Sequence, residues 1–76
     1  MLAEMITEVL ERSVGKVVLV RLRGGTNLRG KLDGFDQHMN LVLVDAEDVS
    51  ASDDVKKLGT IVLRGDNVVM ISPPPS

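Results

Sequence analysis

Two short polar segments contain the residues whose types and spacing could do chemistry. Gly34–Leu41 reads GFDQHMNL and Leu63–Val68 reads LRGDNV, and each lies between apolar runs that are typical of strands. They contribute four side chains that can stack or form hydrogen bonds: His38, Asn40, Arg64 and Asp66. Such a set could hold a flat ligand, because imidazole and guanidinium planes stack on rings and a carboxamide offers both a donor and an acceptor.

Recognition of a nucleobase is the chemistry that this set favours. Single-stranded RNA is bound by stacking a splayed base and by hydrogen bonds to its Watson–Crick edge. His38 and Arg64 are the candidates for stacking. Asn40 matches uracil, which presents a carbonyl acceptor beside an N–H donor. Asp66 could accept a hydrogen bond from the Asn40 amide or from a neighbouring N–H and so fix the orientation of that amide.

Catalysis is not expected from these residues. His38 is the single histidine and the chain has no cysteine, so neither a Cys–His pair nor a zinc site is predicted. Asp33 and Asp36 could in principle act as paired acids, but turn and strand-end positions are the favoured interpretation. Gly24-Gly25 is a hairpin turn, and no phosphate-binding glycine loop of the usual spacing is present. We therefore expect no enzyme, no metal and no cofactor.

Length and composition predict one small domain, residues 1–76, that associates with other copies. A chain of 76 residues buries only roughly 60–65% of its unfolded surface, so its own core is thin. Domains of this size are often supported by disulfides, a metal or association. Cysteine is absent, which leaves association as the expected support.

The charge distribution allows two interpretations. The net charge of −2 and the pI of about 5.2 count against a general nucleic-acid binder. Residues 12–31 nevertheless carry six basic side chains and no acidic ones, whereas residues 45–54 carry five acidic ones and no basic ones. The basic run is either a binding surface or a solvated face, and the acidic run is expected to be a solvated loop. No apolar run reaches the ~18 residues of a membrane span, and a cytoplasmic protein without a membrane partner is expected.

The pattern of apolar residues predicts an all-β fold with an N-terminal helix. Residues 2–12 place Leu2, Met5, Ile6, Val9 and Leu10 on one helical face, which we expect to cover the open end of a barrel. Strands are predicted at about 16–22, 27–35, 40–49, 58–63 and 68–72. Glycines at alternate positions of the second strand permit a sharp bend. The prediction is a small, strongly bent, five-stranded antiparallel barrel with a polar loop at 50–57 and a disordered or extended proline-rich tail at 73–76.

With these motifs the chain resembles the Sm/LSm family of RNA-binding ring proteins in its short archaeal form. The resemblance rests on a glycine-rich strand followed by an acidic residue and Met-Asn, and on an Arg-Gly-Asp-Asn turn before the last strand. It covers about residues 2–73. It implies the Sm fold, an SH3-like barrel, whose open edges pair between subunits in a homo-oligomeric ring. Seven subunits are the usual archaeal number, although six or eight would need only a small change in the angle between subunits.

The resemblance also implies a function and a site. The ring would bind short U-rich single-stranded RNA at its inner rim and act in RNA processing or metabolism, where RNA-processing proteins would be further partners. The implied site residues are His38 and Arg64 around the base, Asn40 at its edge, Asp66 as support and Gly65 for close approach. Candidate supporting residues are Asp36, Met39 and Asn67, with Met39 expected to pack inward. The alternative is a scaffolding ring that mainly assembles other proteins.

Overall fold

The structure is a computed structural model that describes residues 2–73. Its elements are helix α1 (Leu2–Ser13) and strands β1 (Val17–Leu22), β2 (Asn27–Phe35), β3 (Leu41–Asp48), β4 (Lys56–Leu63) and β5 (Val68–Ser72). Each predicted element is present, with bounds within two residues of the prediction. The polar loop is shorter than predicted, because β4 already begins at Lys56. The predicted proline-rich tail falls mainly on residues 74–76, which lie outside the described residues.

The five strands form one antiparallel sheet in the order β4-β3-β2-β1-β5. Strands β4 and β5 are therefore the two edges of the sheet, although only a short 3₁₀ turn, Gly65–Asn67, joins them in the chain. Within residues 2–73 no ladder pairs β4 with β5. The expectation of two exposed edge strands is confirmed. A turn this short can connect opposite edges only because the sheet is strongly bent.

The bend follows from the glycine pattern of β2. Leu28, Gly30 and Leu32 are buried and alternate with exposed residues. A Cβ on Gly30 would come within 3.1 Å of the Ala46 Cα and 3.2 Å of the Leu43 Cβ, so only glycine lets β3 approach this closely without displacement. The β2–β3 register also shifts at Gly30, between Arg29 and Lys31, and again between Leu32 and Gly34. The sheet consequently wraps around a core whose largest fully buried side chains are Leu32, Leu41, Leu43, Val18 and Val20.

Helix α1 is anchored to the sheet only at its C-terminal end. Leu10 is 3% exposed, and the Gly15 N–H, just after the helix, donates to the carbonyl of Leu32 at 2.7 Å. Ile6 remains 40% exposed, and Leu2, Met5 and Val9 are also exposed. The prediction that the whole apolar face covers the barrel end is therefore wrong for the single chain. Instead of packing closely on the sheet, the apolar face of the helix lines one side of a groove of about 460 Å³, and residues of β5 line the other side. No helix in residues 2–73 is long and apolar enough to cross a membrane.

Candidate functional site

The loop between β2 and β3 is organised by the carboxylate of Asp36. Its Oδ1 accepts hydrogen bonds from the backbone N–H groups of His38 (2.9 Å) and Asn40 (3.0 Å). Its Oδ2 accepts from the Asn40 side-chain Nδ2 at 2.9 Å. Backbone bonds between Asp36 and Asn40 and between Met39 and Asp36 close the loop, and Met39 adopts a positive φ of 65°. One carboxylate thus sets both the shape of the loop and the orientation of the Asn40 amide.

These hydrogen bonds favour the ionised form of Asp36. The side-chain bond from Asn40 is the largest cause that lowers the pKa of Asp36 below its ordinary value of 3.8. The backbone N–H groups of Asn40 and His38 lower the pKa further. An ionised carboxylate can only accept, so near neutral pH the donor Nδ2 of Asn40 must face it.

The turn between β4 and β5 is held directly against this loop. The Gly65 N–H donates to the Asn40 Oδ1 at 2.7 Å, which joins the two polar segments. A Cβ on Gly65 would lie 2.0 Å from the His38 carbonyl oxygen and 3.0 Å from the Met39 carbonyl carbon. Gly65 is not among the glycines with positive φ. The glycine is therefore required here for the close approach of the turn to the backbone of His38 and Met39, and not for an unusual backbone conformation.

The other side of the same turn is fixed by Arg23, which follows β1. Its Nε donates to the Asp66 carbonyl at 2.7 Å, and its N–H donates to the Asn67 carbonyl at 2.9 Å. Arg23 belongs to the basic run at 12–31 and is not among the predicted site residues. The contact spans 43 positions in sequence, and it depends on the pairing of β1 with β5, which no local pattern reveals.

Asn40 and Arg64 line one open depression of about 530 Å³ on this surface. The lining also includes Gly34, Phe35, Asp36, Leu41, Val42 and Val62. The Arg64 side chain is 83% exposed, and its Nε lies 3.9 Å from the Asp66 Oδ1, which makes a weak surface ion pair. The guanidinium is therefore free to move onto a ligand in the depression.

The structure changes the role that we assigned to Asp66. The expected hydrogen bond from the Asn40 amide goes to Asp36, and the Asp66 carboxylate faces Arg64 instead. Asp36, a supporting residue in the sequence prediction, is thus the residue that orients Asn40. The position of Asp36 two residues before His38 could have indicated that it organises the loop, since Asp and Asn side chains commonly accept a hydrogen bond from the backbone N–H two residues further on.

The remaining predicted residues lie around the depression without lining it. The His38 side chain is exposed on the same loop as Asn40. Met39 packs against the core, as expected. Asn67 and Asp66 line a second depression, which shares Val62 and Arg64 with the first. Phe35 is half-buried against the core and also forms part of the depression.

Asn40 retains hydrogen-bonding capacity toward a ligand. Its amide nitrogen has a second proton and its carbonyl oxygen has a second lone pair beyond the bonds to Asp36 and Gly65. A planar ligand with adjacent donor and acceptor atoms can use both. In residues 2–73 no group of three or more His, Asp or Glu side chains is arranged to hold a metal ion.

A bent five-stranded antiparallel sheet, an N-terminal helix and two polar turns tied together define the Sm-like class. The profile of the LSM domain matches residues 8–73. An Sm-like protein of Archaeoglobus fulgidus is 54% identical over 68 residues, which cover 90% of this chain and 88% of the relative. The chain therefore belongs to the LSM family.

Solved structures give the same result for the fold. The crystal structure of the P. aerophilum SmAP1 heptamer matches with a TM-score of 0.87 and 49% identity, over 95% of this chain and 96% of that chain. A Pyrococcus abyssii Sm protein, solved in complex with a uridine heptamer, matches with a TM-score of 0.83 and 50% identity, over 90% and 96% of the two chains.

Proposed function

We propose that this chain is a subunit of a homoheptameric ring that binds short U-rich single-stranded RNA at its inner rim. The observation that carries the proposal is the bond between the Gly65 N–H and the Asn40 Oδ1 at 2.7 Å. It brings a base-reading amide and the exposed guanidinium of Arg64 to one depression. The related P. abyssii protein was solved with a uridine heptamer, which supports uridine as the preferred base.

Ring assembly is supported by the two edge strands. An unpaired edge presents N–H and C=O groups that can pair with another chain. Both edges also carry exposed apolar side chains, such as Val62 on β4 (70% exposed) and Val69 on β5 (62% exposed). Pairing of β4 of one copy with β5 of the next would satisfy both edges. The P. aerophilum relative is a heptamer, and seven copies are therefore proposed here.

The acidic net charge of the chain is compatible with RNA binding in such a ring. Each subunit would place one Arg64 near the central opening, and several copies would concentrate positive potential there. Separate pockets that bind one strand also gain effective concentration, so avidity can exceed single-site affinity by roughly 10²–10⁴. The mechanism is equilibrium binding, without a chemical step.

The test compares two variants that should fail differently. Arg64→Ala should weaken binding to oligo(U) and oligo(A) alike, because stacking is sequence-tolerant and worth about 1–3 kcal/mol per base. It should also flatten the salt dependence, since each subunit loses one cation. Asn40→Ala should mainly reduce the preference for oligo(U) over oligo(A), because base-edge contacts carry sequence information. Fluorescence anisotropy measures the affinities, and native mass spectrometry establishes that each variant still forms the ring.

Lys16→Ala is the matched control for the lost charge, because Lys16 lies outside the lining of the depression. It should leave both affinities and the salt dependence close to those of the wild type. An intact ring of Asn40→Ala that keeps its full uridine preference would show that the site is wrongly assigned. A wild-type ring without uridine preference would favour the scaffolding alternative, and hydrolysis products in the mixture would indicate an enzyme.

A role in RNA processing, in the cytoplasm, completes the proposal. It is supported by the family membership alone, and it predicts that RNAs recovered with the ring from cells are enriched in uridine tracts. Recovery of RNA without such enrichment would contradict it.

A further inference from the structure

The exposed face of strands β1 and β2 carries basic residues that the proposed RNA site does not use. Val17, Leu19 and Arg21 are exposed and alternate with buried residues along β1, and Arg29 and Lys31 do the same along β2. Val17 lies opposite Lys31, and Leu19 lies opposite Arg29, so these five residues form one surface, the basic strip. Val17 is 52% exposed and Leu19 is 47% exposed. The basic strip thus combines an aliphatic centre with three cations.

Two cations of the basic strip are available to an external partner. Across residues 2–73, Arg29 forms an ion pair with Glu47 at 2.7 Å, whereas Arg21 and Lys31 form none. The Arg21 Nε donates to the neutral side chain of Asn27 at 3.1 Å, which does not compensate its charge. The basic strip therefore favours a ligand that is both acidic and apolar.

The loop between β3 and β4 has this complementary composition. Its tip, residues 51–55, is exposed throughout and contains Asp53 and Asp54 beside Val55, which is 44% exposed. Neither of the two carboxylates forms an ion pair within the described part of the chain. The loop tip therefore presents two uncompensated anions and an aliphatic side chain to the solvent.

The basic strip and the loop tip lie side by side on the subunit. Asn27 is opposite Arg21 in the β1–β2 register, and its N–H donates to the Ser50 Oγ at the base of the loop at 2.8 Å. Two complementary surfaces that are neighbours on one subunit can pair with a second copy about a two-fold axis, because each loop tip then meets the basic strip of the other copy. Neither strand of the basic strip is an edge of the sheet, so pairing of β4 with β5 within a ring leaves the strip uncovered.

We infer that two rings of this chain associate, with the loop tip of each subunit seated on the basic strip of a subunit in the other ring. The inference rests on the ring of the proposed function and adds a second interface to it. A single exposed ion pair is weak, but every subunit of both rings contributes one loop tip and one basic strip. Such repetition can raise the combined affinity by roughly 10²–10⁴ over a single contact.

A protein surface fits the basic strip better than RNA does. Single-stranded RNA is bound by stacking of bases on aromatic or guanidinium planes beside a cationic groove. The sole aromatic residue of the chain is Phe35, which lies at the other end of β2, and the centre of the basic strip is aliphatic. The exposed Val17 and Leu19 would gain from contact with Val55 and gain little from a phosphate backbone.

Two charge-reversed proteins test the contact. The strip variant combines Arg21→Glu with Lys31→Glu, and the loop variant combines Asp53→Lys with Asp54→Lys. Each variant alone would place like charges against each other in both contacts of the two-fold pair, so the dissociation constant of the double ring should rise at least about tenfold. When preformed rings of the two variants are mixed, both contacts join opposite charges, and double rings should form again.

The matched control combines Glu8→Lys with Glu11→Lys, which changes the net charge by the same amount as the loop variant but on the exposed face of α1. Its double rings should be as stable as those of the wild type. Native mass spectrometry distinguishes single from double rings, and sedimentation equilibrium gives the dissociation constants. Wild-type double rings should separate into single rings in about 1 M salt, where the Debye length falls to about 3 Å. The thermal midpoint establishes that each variant is folded.

The expected result is double rings in the wild type, in the control and in the mixture, and single rings in each charge-reversed variant alone. Single rings of the wild type at low salt would overturn the inference and leave the proposed ring intact, whereas monomers would contradict the proposed function as well. Double rings that persist in both variants, or a mixture that stays as single rings, would show that the basic strip and the loop tip do not meet. A strip variant that loses oligo(U) affinity while the wild type forms only single rings would assign the strip to RNA instead.

Discussion

Replacement of Gly65 by alanine should destabilise the protein more than the same replacement at Gly30 or Gly34, because it disrupts the contact between the two polar turns. The new Cβ would lie 2.0 Å from the His38 carbonyl oxygen and 3.0 Å from the Met39 carbonyl carbon. Both obstacles are backbone atoms, so neither can move aside by a rotamer change. The turn must shift, and the shift would lengthen or break the 2.7 Å bond from the Gly65 N–H to the Asn40 oxygen.

The expected cost combines two effects. Forcing an extra carbon into a packed contact costs about 1–3 kcal/mol, and loss of the hydrogen bond adds about 0.5–1.5 kcal/mol. A total of about 2–4 kcal/mol corresponds to a decrease of about 8–30 °C in the thermal midpoint of a domain of this size. Oligo(U) affinity should fall in parallel, since Asn40 and Arg64 would no longer share one depression.

Two glycines of strand β2, Gly34 and Gly30, serve as controls in which the added Cβ meets less steric hindrance than at Gly65. A Cβ on Gly34 would meet nothing within 4 Å, so Gly34→Ala should be nearly neutral for stability. A Cβ on Gly30 would meet Ala46 and Leu43 atoms at 3.1–3.3 Å, so Gly30→Ala should be intermediate. Thermal unfolding is followed by circular dichroism at one protein concentration, because association shifts apparent stability. A midpoint of Gly65→Ala within a few degrees of Gly34→Ala would refute the steric argument.

Three further outcomes are expected. Leu10→Ala should destabilise by about 2–5 kcal/mol in urea unfolding, whereas Ile6→Ala should cost clearly less because Ile6 is 40% exposed; equal costs would mean that the helix is seated along its whole length. Removal of two residues from the exposed segment 51–54 should leave stability and oligo(U) affinity nearly unchanged, and a large loss of binding would reveal a role for this segment. The folded-state pKa of Asp36 is lowered, so its stabilising contribution should be complete above 3.8 and lost as the pH falls through the folded-state pKa. The difference in thermal midpoint between wild type and Asp36→Asn should therefore shrink below that pH, and a constant difference would contradict the assignment.

Local sequence patterns were sufficient to predict the helix and the strands of the fold. Alternation along β2 places Leu28 and Leu32 on one face, because side chains of a strand point to opposite faces, and the structure buries both. The Gly24-Gly25 pair identified the first hairpin, where both glycines adopt positive φ. Both polar segments were also identified from residue types alone, since stacking and edge recognition need particular chemical groups.

Contacts between distant segments were decided by the tertiary structure. The periodicity of α1 indicated an apolar face but could not show that only Leu10 is buried, because burial depends on where the sheet ends. The sequence suggested Asp66 as the partner of Asn40, whereas the folded chain uses Asp36 and places Gly65 on the amide oxygen. These choices depend on the bend of the sheet, which brings residues 25 positions apart within hydrogen-bonding distance. Local propensities act over a few residues, and only packing of the whole chain determines which distant polar groups meet.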